Sequence, residues 1–282
     1  MHPVLRLLRV QNLAVSFVGT LVGGLVAAGQ GVAISASLGT LLLLAATSTA
    51  CVTAGGNVLN DVLDLEVDRT NHPDRPIVTG EVSVERARGL VVALFVAGLF
   101  VALPVVAAAP LVGAILGAAV LALLGYEFLL KARGFVGNLV VGFLTGMVFL
   151  YGGAAAGDAG LLVPFAGMAF LATLSREVIK DMEDVAGDVG RTTLPMTYGL
   201  PFAGRVATAS ALAGIVLSAV PFAWFVSVTS GVGIIYLGLV GAADVGFGVS
   251  VRYLPGRLHY EQTMSKVAMT VALCAFLAVA FR

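Results

Sequence analysis

Residues 36–68 read ASLGTLLLLAATSTACVTAGGNVLNDVLDLEVD, an uncharged run that passes directly into Asn60, Asp61, Asp64 and Asp68. The uncharged part, 36–58, is long enough to cross a bilayer, which takes about 20 mostly apolar residues. Asn60, Asp64 and Asp68 are spaced by four. If the helix continues past its apolar part, all three project from one face. Leu63, Leu65 and Val67 leave the other faces apolar. The stretch thus predicts a membrane span that ends in an acidic face.

The rest of the chain repeats the first half of that pattern. Of 282 residues, 59% are hydrophobic and 11% are charged, against about 25% charged in a soluble domain. Nine runs qualify as spans, at 12–30, 36–58, 87–106, 110–128, 135–155, 161–180, 204–225, 231–251 and 264–281. They predict an all-α polytopic membrane protein, one membrane domain over 1–282. The runs are too long and too unbroken for a membrane β-barrel. Most of the 35 glycines lie inside the spans. There Gly19/Gly23, Gly113/Gly117 and Gly142/Gly146 have the G-x-x-x-G spacing of close helix contact. Arg6 and Arg9 precede the first span, as in a signal peptide, but the apolar stretch is long for one and another span follows at once.

Charge alternates between the spans. The connections near 30–35, 106–110 and 226–230 carry none, and 156–160 has only Asp158. Those at 59–88, 127–134, 176–205 and 252–266 hold most of it. Nine spans put these four and the N-terminus on one side, with 15 of the 16 Lys and Arg; Arg282 alone lies opposite. The positive-inside rule makes that side cytoplasmic, in a multi-pass cell-membrane protein. Cys51 and Cys274 make neither a disulfide framework nor a metal site. His2, His72 and His259 do not cluster as zinc ligands would. A net charge of zero gives no sign of a nucleic-acid partner.

A second acidic stretch follows the sixth span: residues 175–188 read SREVIKDMEDVAGD. Asp181, Asp184 and Asp188 again share one helical face. Like charges at this spacing repel, and carboxylates near a membrane interior are costly. Two solvated acidic helix ends would be the plain reading, but they leave that repulsion uncompensated. Acidic oxygens without His or Cys suit a hard cation, and Mg²⁺ is typically held by a few carboxylates plus substrate phosphates. Two such faces can clamp a diphosphate between them through the metal.

Basic residues accompany the acids: Arg69 and Arg75 after the first stretch, Lys131 and Arg133 in the second charged loop, Lys180 and Arg191 around the second stretch. They can hold phosphate oxygens, or serve only as topology markers; spacing does not separate the two.

At these residues the sequence resembles the UbiA superfamily of intramembrane prenyltransferases. The match is Asn60-Asp61-x-x-Asp64-x-x-x-Asp68 after the second span and Asp184-x-x-x-Asp188 after the sixth. Tyr126 and Lys131 after the fourth span and Arg9-x-x-Asn12 at the first also fit. The resemblance covers essentially the whole chain. It implies helices around a central cavity open sideways to lipid, an isoprenyl diphosphate donor, and Mg²⁺ between the acidic motifs. By transfer, Asn60, Asp64, Asp68, Asp184 and Asp188 hold metal and diphosphate, and Asp181 joins them by its spacing. Lys131 and Arg75 contact diphosphate, while Arg9 and Asn12 line the acceptor side. Residues 175–188 look most like the branch that moves a geranylgeranyl group onto geranylgeranylglyceryl phosphate. That reaction forms the second ether bond of archaeal membrane lipids, so the implied acceptor is a lipid-like phosphate.

The physical chemistry permits this. An allylic diphosphate ionises when fixed cations stabilise the leaving group. A site sunk below the membrane surface keeps water from the carbocation. An aromatic acceptor, as in quinone biosynthesis, fits the charge pattern equally. A cation or phosphate transporter is the competing class, but transporter sites usually lie near the bilayer midplane, and both acidic stretches lie at span ends. Asp244, inside the eighth span, is the exception: an intramembrane carboxyl is a functional flag or a neutral group hydrogen-bonded within the bundle.

Overall fold

The computed structural model describes residues 2–29, 35–131, 133–185, 192–225 and 231–281. Among them the regular structure is helical, without strands. A short helix, α1 (Pro3–Leu8), leads into α2 (Val10–Ala28) and α3 (Ala36–Leu63). Then come α4 (Leu65–Asn71), α5 (Val84–Ala108) and α6 (Pro110–Gly125), which ends in a π turn over Tyr126–Leu130. The helices α7 (Phe135–Ala155), α8 (Val163–Asp184) and α9 (Leu194–Tyr198) follow. The chain finishes with α10 (Leu200–Leu217), α11 (Ala219–Phe225), α12 (Gly231–Arg252) and α13 (Leu258–Val279). Local sequence sets several starts. Ser35 and Ser83 accept the N–H of Leu38 and Arg86 as N-caps, at 3.2 and 3.3 Å. Pro110 and Pro164 occupy first-turn positions where no N–H is needed.

Nine of these stretches, among the described residues, are long and apolar enough to cross a membrane. They correspond one to one with the expected spans, but several run further at their charged ends. The second reaches Leu63 rather than 58, the sixth reaches Asp184 rather than 180, and the ninth begins at Leu258 rather than 264. Apolar content marks where hydrocarbon ends; backbone hydrogen bonding carries the helix on into the polar layer. At 1.5 Å per residue the 28 residues of α3 extend about 42 Å, against a hydrocarbon core of about 30 Å.

Each long helix packs on the next one, and α13 packs back on α2, so the helices close into a ring. Contacts of α2 with α7 and of α8 with α13 draw it together. Glycine permits the α2–α7 crossing. A Cβ on Gly23 would lie 2.5 Å from the Phe149 carbonyl oxygen, and one on Gly152 would run into the Thr20 carbonyl. Gly142 and Gly146 play the same part against Phe170 and Ala166 of α8, at 3.0 and 2.8 Å from their carbonyl oxygens. Gly113 meets only the Val106 side chain and Gly117 meets nothing within 4 Å, so the Gly113/Gly117 pair does not mark a close crossing.

The uncharged end of the ring is filled by Val26, Phe149, Leu162, Phe165, Tyr236 and Phe276. Phe276 stands edge-on to Phe149 and Phe165, with centroids 5.6 and 4.9 Å away. Large apolar side chains such as Phe100, Leu121, Val216 and Val245 are exposed on the outside, where lipid is their solvent. Asp244 accepts a hydrogen bond from Ser218 Oγ at 2.9 Å, where α10 passes into α11. The intramembrane carboxyl is thus tied into the bundle.

Candidate active site

Polar side chains gather at the opposite end. The backbone keeps one-turn register through the first motif: Asp64 N–H donates to the Asn60 carbonyl at 2.9 Å and Asp68 N–H to that of Asp64 at 2.8 Å. Asp64 (φ −88°, ψ 6°) separates α3 from α4 without turning the chain away. The expected common face therefore forms, though its members have different partners.

Lys131 Nζ lies 2.5 Å from Asp64 Oδ2 and 3.2 Å from Glu127 Oε2. Asn60 Nδ2 donates to both Glu127 oxygens, at 3.1 and 3.3 Å. Arg75 pairs with Asp68 and, at 3.0 Å, with Asp61. Arg9 Nη2 reaches Asp61 at 2.5 Å and the Asn60 side-chain oxygen at 3.3 Å. Arg9 itself is left-handed (φ 56°) between α1 and α2. That conformation costs a non-glycine residue about 1–2 kcal/mol, and the bonds to Asn60 and Asp61 offset it. Asp68 is buried. Burial raises its carboxyl above the usual range, Asp64 and Asp61 push the same way, and Arg75 opposes them.

The second motif is joined through the same stretch of chain. Lys131 follows the π turn, whose Tyr126 carbonyl accepts the Lys131 N–H at 2.9 Å. Seven residues on, in the first turns of α7, Asn138 Nδ2 donates to Asp181 at 2.7 Å. Glu127 and Lys131 thus touch the first motif, and Asn138 touches the second. Asp184 closes α8 and is exposed. Asp188 and Arg191 lie outside the described residues.

Arg69 pairs with Glu66 at 2.9 Å, and both are largely exposed. Lys180 is exposed on α8, and Asn12 is exposed one turn along α2 from Arg9. Tyr126 is half-buried at the head of the π turn. Three side chains not assigned roles from the sequence prove central: Asp61, Glu127 and Asn138. Glu127 was legible in principle, since it precedes Lys131 by four. Asp61 lies one residue off the common face, and no local pattern shows that two arginines converge on it.

Among the described residues no three His, Cys, Asp or Glu side chains form a ready metal cluster. The donor set nonetheless suits Mg²⁺, which takes one or two carboxylates and completes its shell with water and substrate phosphate. A cation among these carboxylates would relieve the repulsion that Asp64 and Asp61 exert on Asp68.

The sequence profile of the UbiA prenyltransferase family matches residues 16–259. A digeranylgeranylglyceryl phosphate synthase of Methanoculleus marisnigri is 37% identical over 96% of each chain. A solved structure of digeranylgeranylglyceryl phosphate synthase superposes with a TM-score of 0.79 at 30% identity, covering 99% of this chain and 97% of that one. A UbiA homologue from Archaeoglobus fulgidus bound to GPP and Mg²⁺ shares the fold, with a TM-score of 0.62 at 20% identity over 99% of both chains. By profile, full-length relatives and helix arrangement together, the chain belongs to the UbiA prenyltransferase family and is a multi-pass membrane enzyme.

Proposed function

We propose that the enzyme transfers a geranylgeranyl group from its diphosphate to the free hydroxyl of geranylgeranylglyceryl phosphate, with Mg²⁺, at the cytoplasmic face. One observation supports the chemistry above others. Carboxylates of the first motif are interleaved with Arg9, Arg75 and Lys131 at one end of an apolar helix ring. The choice of acceptor rests on the synthase relatives.

In this reading Asn60, Asp64, Asp68, Asp181, Asp184 and Asp188 hold the metal. When bound, Mg²⁺ supplies charge neutralisation for the departing diphosphate. Lys131 and Arg75 turn from Asp64 and Asp68 toward phosphate oxygens. The C1–O bond of the donor breaks, leaving an allylic cation among apolar helices. The acceptor hydroxyl oxygen bonds to that carbon and gives up its proton, yielding an ether and free diphosphate. Arg9, beside Asn12, faces the acceptor phosphate.

The test is purified protein with labelled geranylgeranyl diphosphate and a panel of acceptors. An ether product from geranylgeranylglyceryl phosphate, lost in EDTA and restored by Mg²⁺, is expected. Ready prenylation of 4-hydroxybenzoate or a dihydroxynaphthoate, with the glyceryl phosphate ignored, overturns the acceptor. An unchanged rate in EDTA overturns the metal.

A further inference from the structure

Glu127 has 3% of its side chain exposed, and its two oxygens take hydrogen bonds from Asn60 and Lys131. The Lys131 ammonium is shared between this enclosed acid and Asp64, whose side chain is 17% exposed. The π turn places the pair: five residues in a wider turn bring Glu127 and Lys131 together toward Asn60 of α3 and Asp64 at its C-terminal end. Such turns inside helices occur mostly at functional positions. A surface pair spaced by four does little. Here both partners are nearly enclosed, and the acid also grips a residue of another helix.

The two carboxylates are not equivalent. Asp64 is one of the proposed metal ligands, and its hold on Lys131 must loosen when it turns to a cation. Glu127 is enclosed behind Asn60 and Lys131 and has no such second task. An ammonium offers three donors, so Lys131 can keep Glu127 and still give a donor to a phosphate oxygen.

We propose that Glu127 is a positioning residue that anchors the Lys131 ammonium and the Asn60 amide, leaving Asp64 free to exchange Lys131 for metal-bound diphosphate. This rests on the diphosphate reading above.

The experiment compares full-length Glu127→Gln and Glu127→Asp with wild type, in detergent with Mg²⁺. Steady-state kinetics are measured for donor and acceptor separately, and binding of inorganic pyrophosphate by calorimetry. Loss of an outer anchor of this kind costs about 10- to 100-fold. Glu127→Gln should therefore lose that much in kcat/KM for the donor, and pyrophosphate affinity should fall with it. The acceptor KM should stay within about twofold, and Glu127→Asp should recover part of the loss. In a Lys131→Ala background, Glu127→Gln should add little, because a shared interaction is already gone.

Donor kinetics and pyrophosphate affinity unchanged in Glu127→Gln overturn the proposal. So does a full Glu127→Gln effect that persists without Lys131, or an equal loss for donor and acceptor. If Glu127→Gln does not remain monodisperse, Glu127→Asp decides alone: unaltered pyrophosphate affinity overturns the proposal, and weakened affinity supports it. If wild type itself fails to transfer a geranylgeranyl group, the substrate reading fails, and the pyrophosphate comparison still decides the role of Glu127.

Discussion

Asp61 and Glu66 stand five positions apart with the same charge, yet their surroundings differ entirely. Asp61 is 4% exposed beneath two guanidiniums, whereas Glu66 is 77% exposed against Arg69. Removing one partner of an enclosed pair leaves the others uncompensated. Asp61→Ala should cost about 2 kcal/mol, below the fully buried case because Arg9 and Arg75 still reach solvent. Glu66→Ala should stay within about 0.5 kcal/mol. Unfolding midpoints of the detergent-solubilised protein would separate them; equal shifts would mean that Asp61 is no keystone. Lys131 makes a different prediction. With donor and acceptor saturating, Lys131→Ala should slow turnover about 100-fold, the usual scale for one lost electrostatic donor. An unchanged rate would leave Lys131 a topology marker.

Glycine spacing separates the helices in a similar way. A methyl group on Gly152 meets the Thr20 backbone, which cannot rotate aside; at Gly117 it meets nothing. Gly152→Ala should therefore destabilise by about 1–3 kcal/mol as α2 and α7 are forced apart. Gly117→Ala should be neutral or gain up to about 1 kcal/mol of helix propensity. Thermal midpoints in one detergent give the comparison, and equal behaviour would contradict the crossing. Both glycines lie inside apolar spans, and only the identity of the facing atoms tells them apart. The extended ends of α3 and α8 were likewise invisible to hydropathy, because Asp61 and Asp181 interrupt apolar content without interrupting a helix.

The whole molecule is polarised. Aromatic and aliphatic side chains fill one end of the ring and ion pairs occupy the other. We expect the charged end to face the cytoplasm, from the Lys and Arg asymmetry. A cysteine at exposed Asp74, after Cys51 and Cys274 are replaced, should react with an impermeant thiol reagent only in opened cells or inverted vesicles. Labelling in intact cells would reverse the orientation.

The membrane class, the span count and the gathering of charge at one end of the spans were legible in the chain itself, because bilayer thickness and charge cost act on every residue independently of its distant neighbours. The face carrying Asn60, Asp64 and Asp68 was legible for a similar reason: helical periodicity is local. Only the tertiary structure decided that Lys131 shares its ammonium between Asp64 and Glu127, that Arg9 and Arg75 meet on Asp61, and that Asn138 reaches Asp181. Three of these contacts, Lys131–Asp64, Arg9–Asp61 and Asn138–Asp181, join segments dozens of residues apart. They depend on which helix faces turn toward each other, and close packing of whole side chains sets that, not the pattern within any one helix.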